Sequence, residues 1–261
     1  MTIWRKGLQA ATILLGCIVA STPLSAQQQK IVIGLDATYP PFASIDAAGK
    51  MVGFDIDVVD VICAELKAQC DLQNVPYDGI FAALEASKID MIAGGINITD
   101  ERKQKYLMPG PYIRGPLAFM VPVNSTIDGT PASLKGKTVG TVGGSVFEKY
   151  MRERVGSGTE VKTYDSMDAA VLDIEAGRVD AVLGEELQII PAYIQAKPNT
   201  YKVAGNSISD PVYMGQGKGM VMRKSDTSLA ESVNKAIDSM VTNGKLAEIS
   251  TKWFGKAVPA R

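Results

Sequence analysis

The sequence predicts an α/β protein of two similar lobes, each a mostly parallel sheet flanked by helices. Three observations point there. Short β-rich runs alternate with amphipathic helical stretches, as βαβ units do. One strand-and-turn unit recurs later in the chain. Two extended segments are placed to cross between halves, as a hinge needs.

Taken in order, Lys30–Leu35 is a β-rich run, and 54–66 carries apolar residues at helical spacing. Residues 78–86 read as a second helix and 89–93 as a buried strand bounded by Gly94-Gly95. After an extended segment over 114–123 the grammar restarts. Thr138–Val142 reads as a strand, Gly143-Gly144-Ser145 as a turn and 146–154 as a helix; 168–176 follows as a helix and 179–183 as a strand. A further extended run begins at Tyr201, and helices over 229–242 and 245–254 are split by Asn243-Gly244. The repeated unit is Ala86-Ser87-Lys88-Ile89-Asp90-Met91-Ile92-Ala93-Gly94 against Ala176-Gly177-Arg178-Val179-Asp180-Ala181-Val182-Leu183-Gly184. Open α/β sheets bind ligands at the carboxyl ends of their strands. Two such edges, ending in Gly94-Gly95-Ile96-Asn97 and Gly184-Glu185-Glu186, would form a cleft if they faced each other.

Of 261 residues, 46% are hydrophobic and 21% charged, with a net charge of −1. That is an ordinary globular composition, and without a long basic run it argues against a nucleic-acid partner. The N-terminus has the layout of a secretory signal: Arg5 and Lys6, an apolar stretch over 10–20, then small residues to Ala26. Cleavage after Ala26 is the expectation. The apolar run is shorter than the ~20 residues of a spanning helix. Leu14-Leu15-Gly16-Cys17 also resembles a lipobox, which would leave Cys17 lipid-anchored. In an exported chain Cys63 and Cys70 read by default as a disulfide, with a buried free pair as the alternative. Without any histidine, a zinc site on these cysteines is disfavoured.

Several motifs fail on inspection. Gly136-Lys137-Thr138 lacks the leading glycine of a phosphate loop, since position 131 is Pro131. Gly143-Gly144-Ser145-Val146-Phe147 ends in Phe147 where a serine elbow needs glycine, and there is no histidine to act as base. Gly215-Gln216-Gly217-Lys218-Gly219 reads as a turn leading into a strand. A better candidate runs from Gly94 to Arg102. Thr99 suits a helix N-cap, Asp100-Glu101 suit the first turn, and Arg102 offers a fork for a carboxylate.

Five stretches occur in order: 34–42 (Gly-Leu-Asp-Ala-Thr-Tyr-Pro-Pro-Phe), Gly53-Phe54-Asp55-Ile56-Asp57, Tyr77-Asp78-Gly79-Ile80, Ile98-Thr99-Asp100-Glu101-Arg102 and Lys252-Trp253-Phe254-Gly255. Together they resemble the periplasmic amino-acid-binding proteins of ABC transporters (solute-binding family 3), closest in flavour to the lysine/arginine/ornithine- and histidine-binding branch. That branch also carries a cysteine pair at these positions. The resemblance implies a two-lobed periplasmic binding protein fold of type II, with two hinge strands. It implies lobe 1 over 27–114 and 206–261, lobe 2 over 115–205, and a signal over 1–26. It implies a binding protein rather than an enzyme: periplasmic, monomeric, without cofactor or metal, and partnered by an inner-membrane permease.

The resemblance also implies residue roles. Arg102 and the backbone N–H of Val146 would hold the ligand's α-carboxylate. Glu185, with oxygens at Gly95 and Asn97, would meet its α-ammonium. Tyr39 and Tyr77 would sandwich the side chain and Asp36 would meet a distal cation or amide. Gly94 and Gly95 would leave room. The branch typically has serines at Gly94, Gly95 and Asn97, a threonine at Val146 and an aspartate at Glu185. The expected ligand is therefore a polar, basic amino acid or a bulkier derivative such as an opine. The alternatives are a dehydratase of prephenate or arogenate on the same fold, with Glu185 as acid or base, and a binding partner of a sensor.

Overall fold

The computed structural model describes residues 1–2 and 29–260. The signal expected over 1–26, Cys17 included, lies outside them except for its first two residues. Among the described residues no helix is long and apolar enough to cross a membrane.

Two five-stranded sheets form the framework, and they are built alike. In the first the order is Gln69–Asn74, Lys30–Leu35, Met91–Asn97, Lys218–Arg223, Tyr106–Leu107. In the second it is Glu160–Tyr164, Thr138–Val142, Ala181–Glu185, Leu117–Pro122, Tyr201–Ile208. In each, three parallel strands are followed by a fourth that runs antiparallel both to the third and to the fifth. The inner strands Met91–Asn97, Leu117–Pro122 and Ala181–Glu185 read as near-continuous buried runs because both faces are covered, while the edge strands Gln69–Asn74 and Glu160–Tyr164 are polar. Helices Phe54–Leu66, Thr227–Thr242 and Lys245–Phe254 cover one face of the first sheet, and Tyr77–Glu85 the other. The second sheet likewise has a core on each side.

The sequence repeat has a structural reason. Asp90 and Asp180 play one role in their two sheets. Asp90 Oδ2 accepts from the Val32 N–H at 3.0 Å while its own N–H donates to the Val32 carbonyl at 2.7 Å. Asp180 does the same with Thr138, at 2.9 and 2.8 Å. Each aspartate thus sets the register of the central strand that follows it.

Most boundaries fall within two residues of the sequence expectation, as with the strand Ala181–Glu185 and the helix Thr227–Thr242, and two differ by more. The strand read as ending before Gly94 runs over Met91–Asn97, through both glycines, which take φ of 117° and 68°. The helix expected over 146–154 is α-helical only over Val146–Tyr150 and then widens, the Gly156 N–H bonding back to the Met151 carbonyl. The chain crosses between sheets after Ile113 and again after Ile208, whose pairing with Leu117 keeps it in the second sheet.

Cys63, on the helix Phe54–Leu66, is bonded to Cys70, on the edge strand Gln69–Asn74, with Cα atoms 6.2 Å apart.

Candidate functional site

The carboxyl end of the first sheet's central strand, Met91–Asn97, faces the end of Thr138–Val142 and the turn after it in the second sheet across an open-mouthed cavity. Asp36, Tyr39, Tyr77, Gly94, Gly95 and Asn97 wall it from the first sheet's side. Val146 walls it from the second, together with Ser145, Asp165 and Ser166. Among the described residues no lysine or arginine lines it, whereas two carboxylates and two tyrosines do. Such a wall favours a cation and its aliphatic stem.

Asp36 is held in place by local bonds. Its Oδ1 accepts from the Thr38 N–H at 2.9 Å and hydroxyl at 2.7 Å, and its Oδ2 from the Tyr77 N–H at 2.9 Å. It therefore joins the loop after Lys30–Leu35 to the start of Tyr77–Glu85, setting Tyr77 opposite Tyr39. Tyr39 stacks on Phe42 with centroids 4.8 Å apart. Ser145 caps the helix Val146–Tyr150, accepting from the Glu148 N–H at 3.3 Å, while Glu148 accepts from the Gly144 N–H at 2.8 Å. The Val146 N–H lies in that helix's first turn, where no intrahelical partner exists.

Arg102 lies just behind the cavity. Thr99 caps its helix as expected, accepting the Arg102 N–H at 3.3 Å. The guanidinium donates to the Tyr77 hydroxyl at 2.9 Å and the Asn97 carbonyl at 3.2 Å, and stands 5.3 Å from the Phe81 ring centre. It borders a wider solvent groove that passes Lys149 and Tyr213.

Glu185 is fully buried and is not on the cavity wall. Its Oε2 lies 2.9 Å from Nζ of Lys218, ion-paired without hydrogen-bond direction, and its Oε1 has no hydrogen-bond partner among the described residues. Burial pushes its carboxyl up from the ordinary range, against the pull of Lys218. Nζ also donates to the Gly95 carbonyl at 3.0 Å and lies 3.5 Å from Asn97 Oδ1.

Gly95 does not enlarge the cavity: a Cβ there would meet Tyr39 at 3.0 Å and the Lys218 stem at 3.5 Å. Beside Gly94 the nearest atom would be 4.0 Å away, so that position does leave room. On its other side Gly95 is fixed by Tyr112, whose hydroxyl accepts from the Gly95 N–H at 3.1 Å and donates to Asp55 at 2.8 Å.

Lys218, Tyr112 and Asp55 were not singled out from sequence. A lysine opening the apolar run Gly219-Met220-Val221-Met222 was the one available signal. Asp55 lies in the stretch Gly53-Phe54-Asp55-Ile56-Asp57, from which the resemblance implies no role for it.

Residues 31–256 match the model of bacterial extracellular solute-binding proteins, family 3. The L-arginine-binding protein of Pseudomonas aeruginosa is 35% identical over 246 residues, 92% of this chain and 95% of its own. The histidine-binding periplasmic protein of Salmonella typhimurium is 35% identical over 252 residues, 96% and 97% of the two chains. Among solved structures, a Salmonella typhimurium periplasmic binding protein of high arginine specificity superposes with a TM-score of 0.80 at 31% identity, covering 87% of this chain and 99% of its own.

Proposed function

The chain belongs to the bacterial extracellular solute-binding proteins of family 3, and on that premise we propose that it captures a polar, basic amino acid or derivative between two lobes and delivers it to an ABC transporter permease. The observation that carries this is the two-sided cavity, with Asp36, Tyr39 and Tyr77 on one wall and Val146, Ser166 and Asp165 on the other. Asp36 and Asp165 would hold a cationic group, and the tyrosine rings would flank its stem. Arg102, released from Tyr77 and Asn97, would take the carboxylate together with the Val146 N–H.

The lobes are assigned as expected, 27–114 with the return segment and 115 onward, except that the return crossing moves from 205/206 to after Ile208, which still pairs with Leu117 in the second sheet. Closure over the ligand makes the shape that the permease reads. The receptor works as a monomer in the periplasm. The family and the relatives are binding proteins, which leaves the dehydratase alternative without support.

A thermal-shift panel of basic and neutral polar amino acids, their Nα-modified derivatives and opines tests this. Binding to the folded state raises the melting temperature by mass action. A rise with at least one of them, lost in Arg102→Ala, is expected. No rise with any, alongside turnover of prephenate or arogenate, would overturn it.

A further inference from the structure

An ammonium ion carries three donors and no acceptor, so a buried one needs about three oxygens, one of them charged. Glu185, Gly95 and Asn97 supply such a set where the two sheets meet, the set assigned from sequence to a ligand's α-ammonium. In the structure that set is occupied. Nζ of Lys218 lies 2.9 Å from Glu185 Oε2, 3.0 Å from the Gly95 carbonyl and 3.5 Å from Asn97 Oδ1. The side chains of Lys218 and Glu185 are 1% and 0% exposed. The lysine comes from the return segment that pairs with the first sheet, the glutamate from the central strand of the second. The chain's own ammonium therefore makes the bridge between lobes that an amino acid would make with its own.

Space and charge both stand against a second ammonium there. The Lys218 stem and the Tyr39 ring fill the volume beside Gly95. Two like charges in one water-poor site repel strongly. What remains on the cavity wall is Asp165 and Asp36, the latter with both oxygens already accepting hydrogen bonds from Thr38 and Tyr77. A basic amino acid brings two cationic groups, and the oxygen set beside Gly95 is already filled by Lys218.

We propose, building on the amino-acid reading above, that the ligand is a cationic carboxylic acid with no charged nitrogen on its α-carbon, that nitrogen being absent or acylated. The cation enters between Tyr39 and Tyr77, and Lys218 stays paired to Glu185 in the loaded state.

Matched pairs test this by calorimetric titration of the purified protein. L-arginine is compared with desamino-arginine and Nα-acetyl-arginine, L-lysine with desamino-lysine, and octopine serves as an N-alkylated arginine that keeps its charge. In the wild type the analogues lacking the charge are expected to bind at least tenfold more tightly than their parents. In Lys218→Ala, L-arginine should gain at least tenfold as its α-ammonium pairs with the vacated Glu185, and desamino-arginine should not gain. If the variant does not fold, the wild-type pairs decide alone. Wild-type binding of L-arginine, L-lysine or octopine as tight as that of the uncharged analogues would overturn the inference and leave the amino-acid reading intact. Silence from all of these and from the wider amino-acid panel would overturn both.

Discussion

Asp55 is a residue whose burial has a measurable cost. It lies in the first turn of the helix Phe54–Leu66 but is fully buried, with one oxygen bonded by Tyr112 and the other unpartnered. Burial pushes its carboxyl from the ordinary 3.8 up to about 7, against the Tyr112 hydrogen bond and the Lys218 charge. Between those two values the folded protein holds a proton that the unfolded chain has released. The group's contribution to stability is thus full below about pH 4 and lost as pH rises through about 7. The difference is on the order of 4 kcal/mol if fully expressed. Urea unfolding of wild type and Asp55→Asn should show it: the variant loses less stability than wild type between about pH 5 and about pH 8. Parallel pH profiles would mean that the carboxyl is ionised in the fold. Because Tyr112 links Asp55 to the Gly95 N–H, that proton also bears on the strand that shapes the cavity.

At the level of elements, the disulfide ties the C-terminal part of one helix to the strand that follows it, closing a short loop. Removing it with Cys63→Ser and Cys70→Ser together should cost about 2–3 kcal/mol in the chain-entropy account. The urea midpoint should fall with ligand specificity unchanged, since neither cysteine lines the cavity. A specificity change would mean that the helix position is felt at the site. This helix was legible in the sequence to the residue: its apolar spacing is regular, Gly53 precedes it, and Lys67 ends it in a left-handed conformation. The strand Met91–Asn97 was less so, because glycines usually punctuate strands. Here Gly94 and Gly95 continue one, since Asn97 and Ile96 still pair with Lys218 and Gly219. On the first sheet's side the wall residues Asp36, Tyr39, Tyr77, Gly94, Gly95 and Asn97 lie in local motifs, whereas Asp165 and Ser166 on the other side carry no such signal. The pairing of Lys218 with Glu185 was not, because it joins strands of different sheets and leaves no local pattern. In a turn-like glycine run, Lys218 looks like a solvated surface charge.

For the whole molecule, three ion pairs among the described residues join the halves; besides Arg154 with Asp210 close to the return crossing, two lie at the cleft and should behave differently. Lys218 and Glu185 are sealed from water. Removing either partner alone leaves a buried charge, at a cost of ~3–5 kcal/mol that salt does little to change. Glu101 and Lys149 meet at 2.5 Å across the solvent groove beside Arg102, with side chains 63% and 45% exposed. An exposed pair contributes ~0–1 kcal/mol and is screened by salt. That is too little to hold the lobes shut without ligand, but enough to bias closure. Because apparent affinity scales with the population of the binding-competent state, Glu101→Gln should weaken ligand binding by up to about fivefold at low ionic strength. The difference should shrink towards none near about 0.5 M salt, and the melting temperature without ligand should stay as in wild type. Titrations of both proteins at two salt concentrations measure this. An affinity unchanged at low salt would show that the Glu101–Lys149 contact follows closure without favouring it, leaving the buried Lys218–Glu185 pair as the bridge that biases the two lobes.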